Sequence, residues 1–115
     1  MNLEDPDYWK SLINMSLTRF FILQTLNKGS AHGYVLLEKL ERFTEGCCTP
    51  AYSTIYPILK EFVEGGYASV RSDTEAGRAR KVYTLTAKGR RAHKKAVQAW
   101  REVIPYVEKV VTENP

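Results

Sequence analysis

Apolar residues along this chain recur first at helical spacing, then in alternation, then at helical spacing again. From Asp7 to Asn27, the residues Trp9, Leu12, Ile13, Leu17, Phe20, Phe21, Leu23 and Leu26 make a broad helical face. That pattern predicts a first helix buried on more than one side, with Gly29 as its C-terminal cap. Ser30 is placed to cap a second helix running to about Phe43, with Leu36, Leu37, Leu40 and Phe43 inward and Glu45 and Gly46 as its end. A third helix opens in TPAYSTIYP, from Thr49 to Pro57. Its stripe is Ile55, Ile58, Leu59, Phe62 and Val63, and Gly65 and Gly66 stop it.

Period two then takes over. Residues 67–72 read as a strand, 73–78 as a turn and 79–85 as the return strand. Thr86 caps a fourth helix from about Ala87 to residue 113. Within it Ala96, Trp100, Val103, Val107 and Val110 keep the a/d spacing of a coiled-coil seam, widened by Val97, Ile104 and Val111. So apolar a helix has too little partner surface in so short a chain. The seam therefore predicts a homodimer contact, with packing on the first helix of its own chain as the alternative. Pro105 inside the pattern predicts a kink.

Three helices, a hairpin and a last helix make a mainly α fold with a small β-hairpin (α+β). The order is that of a winged helix-turn-helix, a single domain over 1–115 with 87–113 as its C-terminal dimerisation helix. The third helix is then the recognition helix and the hairpin the wing. This bears on an oddity: TPAYSTIYP carries a second proline, Pro57, among short hydroxyl side chains. If the helix caps at Ser53 or Thr54, Pro57 falls near the first turn, where its missing N–H has no intrahelical partner. If it caps at Thr49, Pro57 bends the entry. In either case Thr49, Ser53 and Thr54 sit where a recognition helix meets base edges. Tyr56 is either a core aromatic or a ring at the rim offering its hydroxyl to a phosphate.

Composition narrows the function. The chain has 115 residues, 43% of them hydrophobic, which supplies one small core but not a deep enclosed pocket as well. It has no run of about 18 apolar residues. The start, MNLEDPDYWK, is acidic and lacks the apolar region of a signal peptide, so the expected compartment is the cytoplasm, with no membrane partner. The net charge is +4, but from Ala76 to Arg101 there is no Asp or Glu. That window holds Arg78, Arg80, Lys81, Lys88, Arg90, Arg91, Lys94, Lys95 and Arg101, a one-signed field that attracts phosphate backbones or is simply solvated.

The sequence resembles the PadR family of transcriptional regulators over nearly its whole length. The resemblance is carried by HGY at His32–Tyr34 and PAYSTIYP at Pro50–Pro57, then LKEFVEGGY at Leu59–Tyr67 and RKVYTLTAKG at Arg80–Gly89. It implies a winged helix-turn-helix dimer that usually represses transcription at an operator in double-stranded DNA, and that small, often aromatic, effectors release. By resemblance and by chemistry, Ser53, Thr54 and Lys60 are the recognition-helix candidates. Tyr34 and Tyr56 position the DNA backbone, and Arg78, Arg80 and Lys81 are wing contacts. The chain's brevity is similar to that of the short members with one C-terminal helix. Some of these, the multidrug-binding repressors, take flat aromatic drugs at the dimer interface against a tryptophan of the last helix. Trp100 falls at the matching position, and Trp9, Leu12 and Ile13 are candidates to complete such a pocket; each has a packing role as its alternative.

Two rival readings stand beside this one. Cys47 and Cys48 precede the recognition helix, where oxidation or metal binding could move it; the simpler expectation is two loop thiols, no metal and no cofactor. A non-DNA protein-interaction module is the other. An enzyme is not expected, because His32 and His93 lie on different elements and no phosphate loop or paired-carboxylate motif is present.

Overall fold

In the computed structural model the chain runs α1 (Pro6–Lys28), β1 (Ala31–His32), α2 (Gly33–Thr44), α3 (Tyr52–Glu64), β2 (Ala68–Glu75), β3 (Arg78–Leu85) and α4 (Ala87–Thr112). Residues 1–47, 50–75 and 77–114 are described, without the side chains of 75, 78 and 79.

Asp5 caps α1 by accepting the Asp7 N–H at 2.9 Å, with Pro6 in the first turn. Only the second half of α1 is buried, at Thr18, Ile22, Leu23 and Leu26. Trp9, Leu12, Ile13 and Met15 are exposed, so the expected burial on several sides does not occur within one chain. Gly29 does close the helix, its N–H bonding to the Leu26 carbonyl.

Ser30 does not cap α2. The two residues after it form β1, which pairs Ala31 with Tyr83 and His32 with Val82, while the Ser30 hydroxyl bonds that of Thr84 at 2.7 Å. So the expected hairpin is a three-stranded antiparallel sheet, in the order β1-β3-β2. The helix then starts after His32, buries Leu36 and Leu40 and ends at Glu45 in the left-handed region, φ 54°. Phe43 is 58% exposed rather than core; it lies edge-on against Phe21.

The first residue of α3 is Tyr52, with Ala51 as N-cap, so Pro57 lies inside the helix. Neither placement expected for the cap holds. Ile55, Ile58 and Leu59 join Ile22, Leu26, Leu36 and Leu40 in the core, each contributing about 1.5–3 kcal/mol of hydrophobic stabilisation. Gly65 ends α3, and Lys88 reaches back to donate to the Gly65 carbonyl at 2.8 Å over the Tyr67 ring. That uses Lys88 as a C-terminal cap rather than as part of a free basic field.

The wing is longer than its pattern predicts. Asp73, Thr74 and Glu75 read as turn but pair with Arg80, Ala79 and Arg78, so only two residues connect β2 to β3. Thr86 caps α4 through the Gly89 N–H at 3.1 Å, as expected. The helix continues unbroken through Pro105. From Arg101 to Thr112 every residue is exposed, and the molecule is 54 Å long against 28 and 24 Å. No helix is long and apolar enough to cross a membrane among the described residues.

Candidate nucleic-acid interface

Ser53, Pro57 and Lys60 are exposed on the side of α3 opposite Ile55, Leu59 and Phe62. A proline has no N–H to give the carbonyl four residues back, here Ser53. The gap lies on the outward line of the helix rather than against the core, where an unmet carbonyl would cost more.

Beside that line stands a group of aromatic and basic side chains from three elements. Tyr34 of α2 stacks on Tyr52 of α3, with centroids 4.5 Å apart and planes 1° from parallel. Tyr52 is 6.4 Å from Tyr56. Lys81 of β3 donates a long hydrogen bond, 3.4 Å, to the Tyr56 hydroxyl and lies 5.5 Å from its ring centre. The hydrogen bond it donates to Tyr56 is the chief reason Lys81 holds its proton above the ordinary lysine value. Burial pushes the Tyr83 phenol up, so it stays neutral. Tyr56 is 39% exposed, at the rim between core and solvent. A side chain at Gly33 would strike the Tyr52 ring, its Cβ coming within 2.9 Å, so glycine is what lets this ring lie over the start of α2. Between the elements is a cleft of about 670 Å³ whose lining includes Tyr34, Tyr56, Arg80 and Lys81.

The structure thus brings together Tyr34, Tyr56, Arg80 and Lys81, with Ser53 and Lys60 on the adjoining face. Thr54 stands apart: it lines a different cleft, of about 510 Å³, with Asp7, Lys10 and Cys47. On that same flank Glu61 pairs with Arg19 of α1 at 2.8 Å. Thr49, the side chain of Arg78 and Cys48 lie outside the described residues. Among the described residues no group of three His, Cys, Asp or Glu could hold a metal ion.

The effector candidates divide. Trp9, Leu12 and Ile13 are exposed on α1. Trp100 is half-buried against Phe20, a ring the sequence reading left as plain core. Of the seam, Ala96 is half-buried, whereas Val103, Val107 and Val110 are 51%, 55% and 60% exposed, an apolar stripe without cover in the single chain. Tyr52 and His32 were also missed. The spacing of Tyr52 and Tyr56 puts them on one flank of a helix and was the available signal; His32 stood in the HGY motif only as a mark of the family resemblance.

The family model described as "Transcriptional regulator PadR-like family" matches residues 22–95. The "Transcriptional regulator YqjI" of Escherichia coli K12 is 35% identical over 71 residues, which are 62% of this chain and 33% of that protein. The chain therefore spans about a third of the length of the curated relatives it matches. Bacillus subtilis PadR, solved in complex with operator DNA, superposes with a TM-score of 0.66 at 26% identity, covering 72% of this chain and 48% of that one. A PadR family transcriptional regulator from Eggerthella lenta superposes with a TM-score of 0.78 at 22% identity, over 94% and 96% of the two chains, which shows a shared fold.

Proposed function

Because this chain belongs to the PadR-like family of transcriptional regulators, we propose that it binds operator DNA as a homodimer and represses transcription until a small aromatic effector releases it. The observation that carries the DNA reading is the convergence of the exposed face of α3 with Tyr34, Tyr56 and Lys81 on one side of the molecule. Ser53 and Lys60 face the major groove, Lys60 nearer a phosphate than a base. Arg78, Arg80 and Lys81 of the wing meet phosphates or a minor groove, and Tyr34 and Tyr56 fix the register. Thr54 flanks the reading face. The bound operator of the Bacillus subtilis relative supports the same partner here.

The dimer reading is supported by the uncovered stripe of Val103, Val107 and Val110 together with the exposed Trp9, Leu12 and Ile13 of α1. Two copies that cover these faces place two recognition helices on one duplex, and the operator is then palindromic, its half-sites about 34 Å apart or a multiple of that. The effector would enter at that interface, beside Trp100. Selection of bound duplexes from a random pool tests the reading, with sedimentation of the same protein. A palindromic consensus bound by a dimer is expected. A monomer at micromolar concentration, or binding that a simple polyanion of equal charge matches, overturns it.

A further inference from the structure

We infer that the cleft between α1 and α2 is a docking site for a partner protein, and that it takes an acidic segment carrying one apolar anchor residue. The cleft is open and holds about 260 Å³. Gln24, Thr25 and Lys28 of α1 line it on one side, and Lys39, Arg42 and Phe43 of α2 on the other. It shares no lining residue with the cleft on the DNA face, and neither Trp100 nor the valines of α4 belong to it. The charge around it is one-signed and unanswered. Among the described residues no carboxylate lines the cleft, and Lys28, Lys39 and Arg42 have no ion-pair partner, the one ion pair being Arg19 with Glu61.

Two of these charges have a local cause, since Lys28 and Arg42 lie in the last turns of their helices, where the dipole favours a cation. Lys39 has none. It is half-buried in mid-helix, three residues from Arg42, at a spacing where like charges repel. Glu38 has the spacing to pair with Arg42, yet it lines the cleft on the other flank of α2. Three unpaired cations on two helices match several carboxylates along a segment better than a single one. Between them stands Phe43, 58% exposed although it lies edge-on against Phe21 at 5.5 Å. An apolar centre with a charged rim is the plan of a protein interface. The volume of about 260 Å³ admits one apolar side chain, since roughly 150 Å³ is enough for benzene. Gln24 adds a donor. Its Oε1 is held by His93 Nε2 at 2.6 Å, so its NH2 group, without a partner among the described residues, is left for a carboxylate.

The test is anisotropy of a fluorescein-labelled peptide, a phenylalanine with glutamates on both sides, over a series of salt concentrations. Saturable binding to the parent at micromolar concentration is expected. A peptide with serine in place of the phenylalanine should bind roughly tenfold more weakly, its anchor being lost. Phe43→Ser, a change at an exposed ring, should weaken the first peptide by a similar factor and bring the two peptides together. Lys39→Gln with Arg42→Gln should weaken binding and flatten its salt dependence. Lys81→Gln with Lys95→Gln, equal in charge change but on the DNA face and on α4, should match the parent. If that last pair weakens binding as much, or if the serine peptide binds as well as the first, the peptide follows the basic surface at large and the inference fails. If Phe43→Ser and the Lys39, Arg42 double variant bind like the parent, or if the parent binds neither peptide, the cleft is not a docking site for such a segment.

Discussion

Phe20 of α1 and Trp100 of α4 stack with ring centres 5.6 Å apart and planes 23° from parallel. On the same Phe20 lies His93, 6.3 Å away at 20°. One face of the indole is thus taken by its own chain, which ties the last helix to the first before any second copy arrives. The coupling is measurable. A double-mutant cycle of Phe20→Leu and Trp100→Leu by urea unfolding should give an interaction of about 0.5–1.5 kcal/mol beyond area burial. A coupling near zero would mean that the rings only share space.

The start of α4 is fixed by a closer fit. A Cβ at Gly89 would run into the Tyr67 carbonyl oxygen and come within 2.8 Å of the Leu85 side chain. Backbone cannot yield as a flexible side chain does, so α4 would have to lift from the sheet. Gly89→Ala should cost about 3 kcal/mol or more, beyond the usual overpacking range of 1–3. Thermal melts of this variant beside Arg90→Ala, one residue on and exposed, check it: the second should change little.

Long periodic stretches were legible because the core enforces them. Ile55, Ile58 and Leu59 point inward from α3 as their spacing requires, and Thr86 caps α4 as its chemistry requires. What escaped was set by tertiary pairing. Two residues, Ala31 and His32, are too short a run to show alternation, and only β3 makes them a strand. Asp73–Glu75 carry turn-like side chains, yet the register of β3 holds them extended. At the interface, the helix pattern placed Ser53 and Lys60 outward. It could not tell that Thr54 turns to α1, or that Tyr52 would stack on a tyrosine of another helix.

His93 gives a pH dependence of known sign. Its Nε2 lies 2.6 Å from Gln24 Oε1, so the neutral ring donates there, and burial lowers its pKa below the ordinary 6.5. Lys94, Arg101 and Glu102 share the adjoining cleft, and Gln24 of α1 is uncharged. The unfolded chain therefore binds a proton more readily than the folded one. Stability is full above the unfolded value and is lost as pH falls through the window beneath it. The melting temperature should drop further between about pH 8 and about pH 5 in the parent than in His93→Gln. Equal drops would assign the effect to carboxylates.

The two flanks of α3 should separate in DNA binding. Ser53 is on the outward line, whereas Thr54 shares a cleft with α1. On operator variants differing at single base pairs, Ser53→Ala should change the order of preference, and Thr54→Ala should leave that order intact. Lys60→Ala should weaken all duplexes alike and lower the salt slope by about one unit. A changed order from Thr54→Ala and not from Ser53→Ala would rotate the reading face toward α1.

On the proposed reading, Trp100 is where effector and packing roles would meet. With Phe20 on one face, a planar ligand at the dimer interface reaches only the other face of the indole. Stacking there suits varied flat compounds, since a rigid aromatic platform costs little entropy on binding. Cations would gain further from the ring face, whereas Lys95 and Arg101 on the same helix favour aromatic anions. Dyes of both signs therefore belong in one experiment. In a Trp9→Phe background, Trp100 is the sole tryptophan and its fluorescence reports on this face alone. Saturable quenching at micromolar dye is expected, lost in a Trp100→Ala variant whose dimer is confirmed by sedimentation and whose dye binding is followed by the dye's own emission. Phe20→Leu should weaken the dye by a smaller factor, through loss of the support behind the ring. Unchanged dye binding in Trp100→Ala would leave the tryptophan a packing residue between α1 and α4 and move the effector elsewhere.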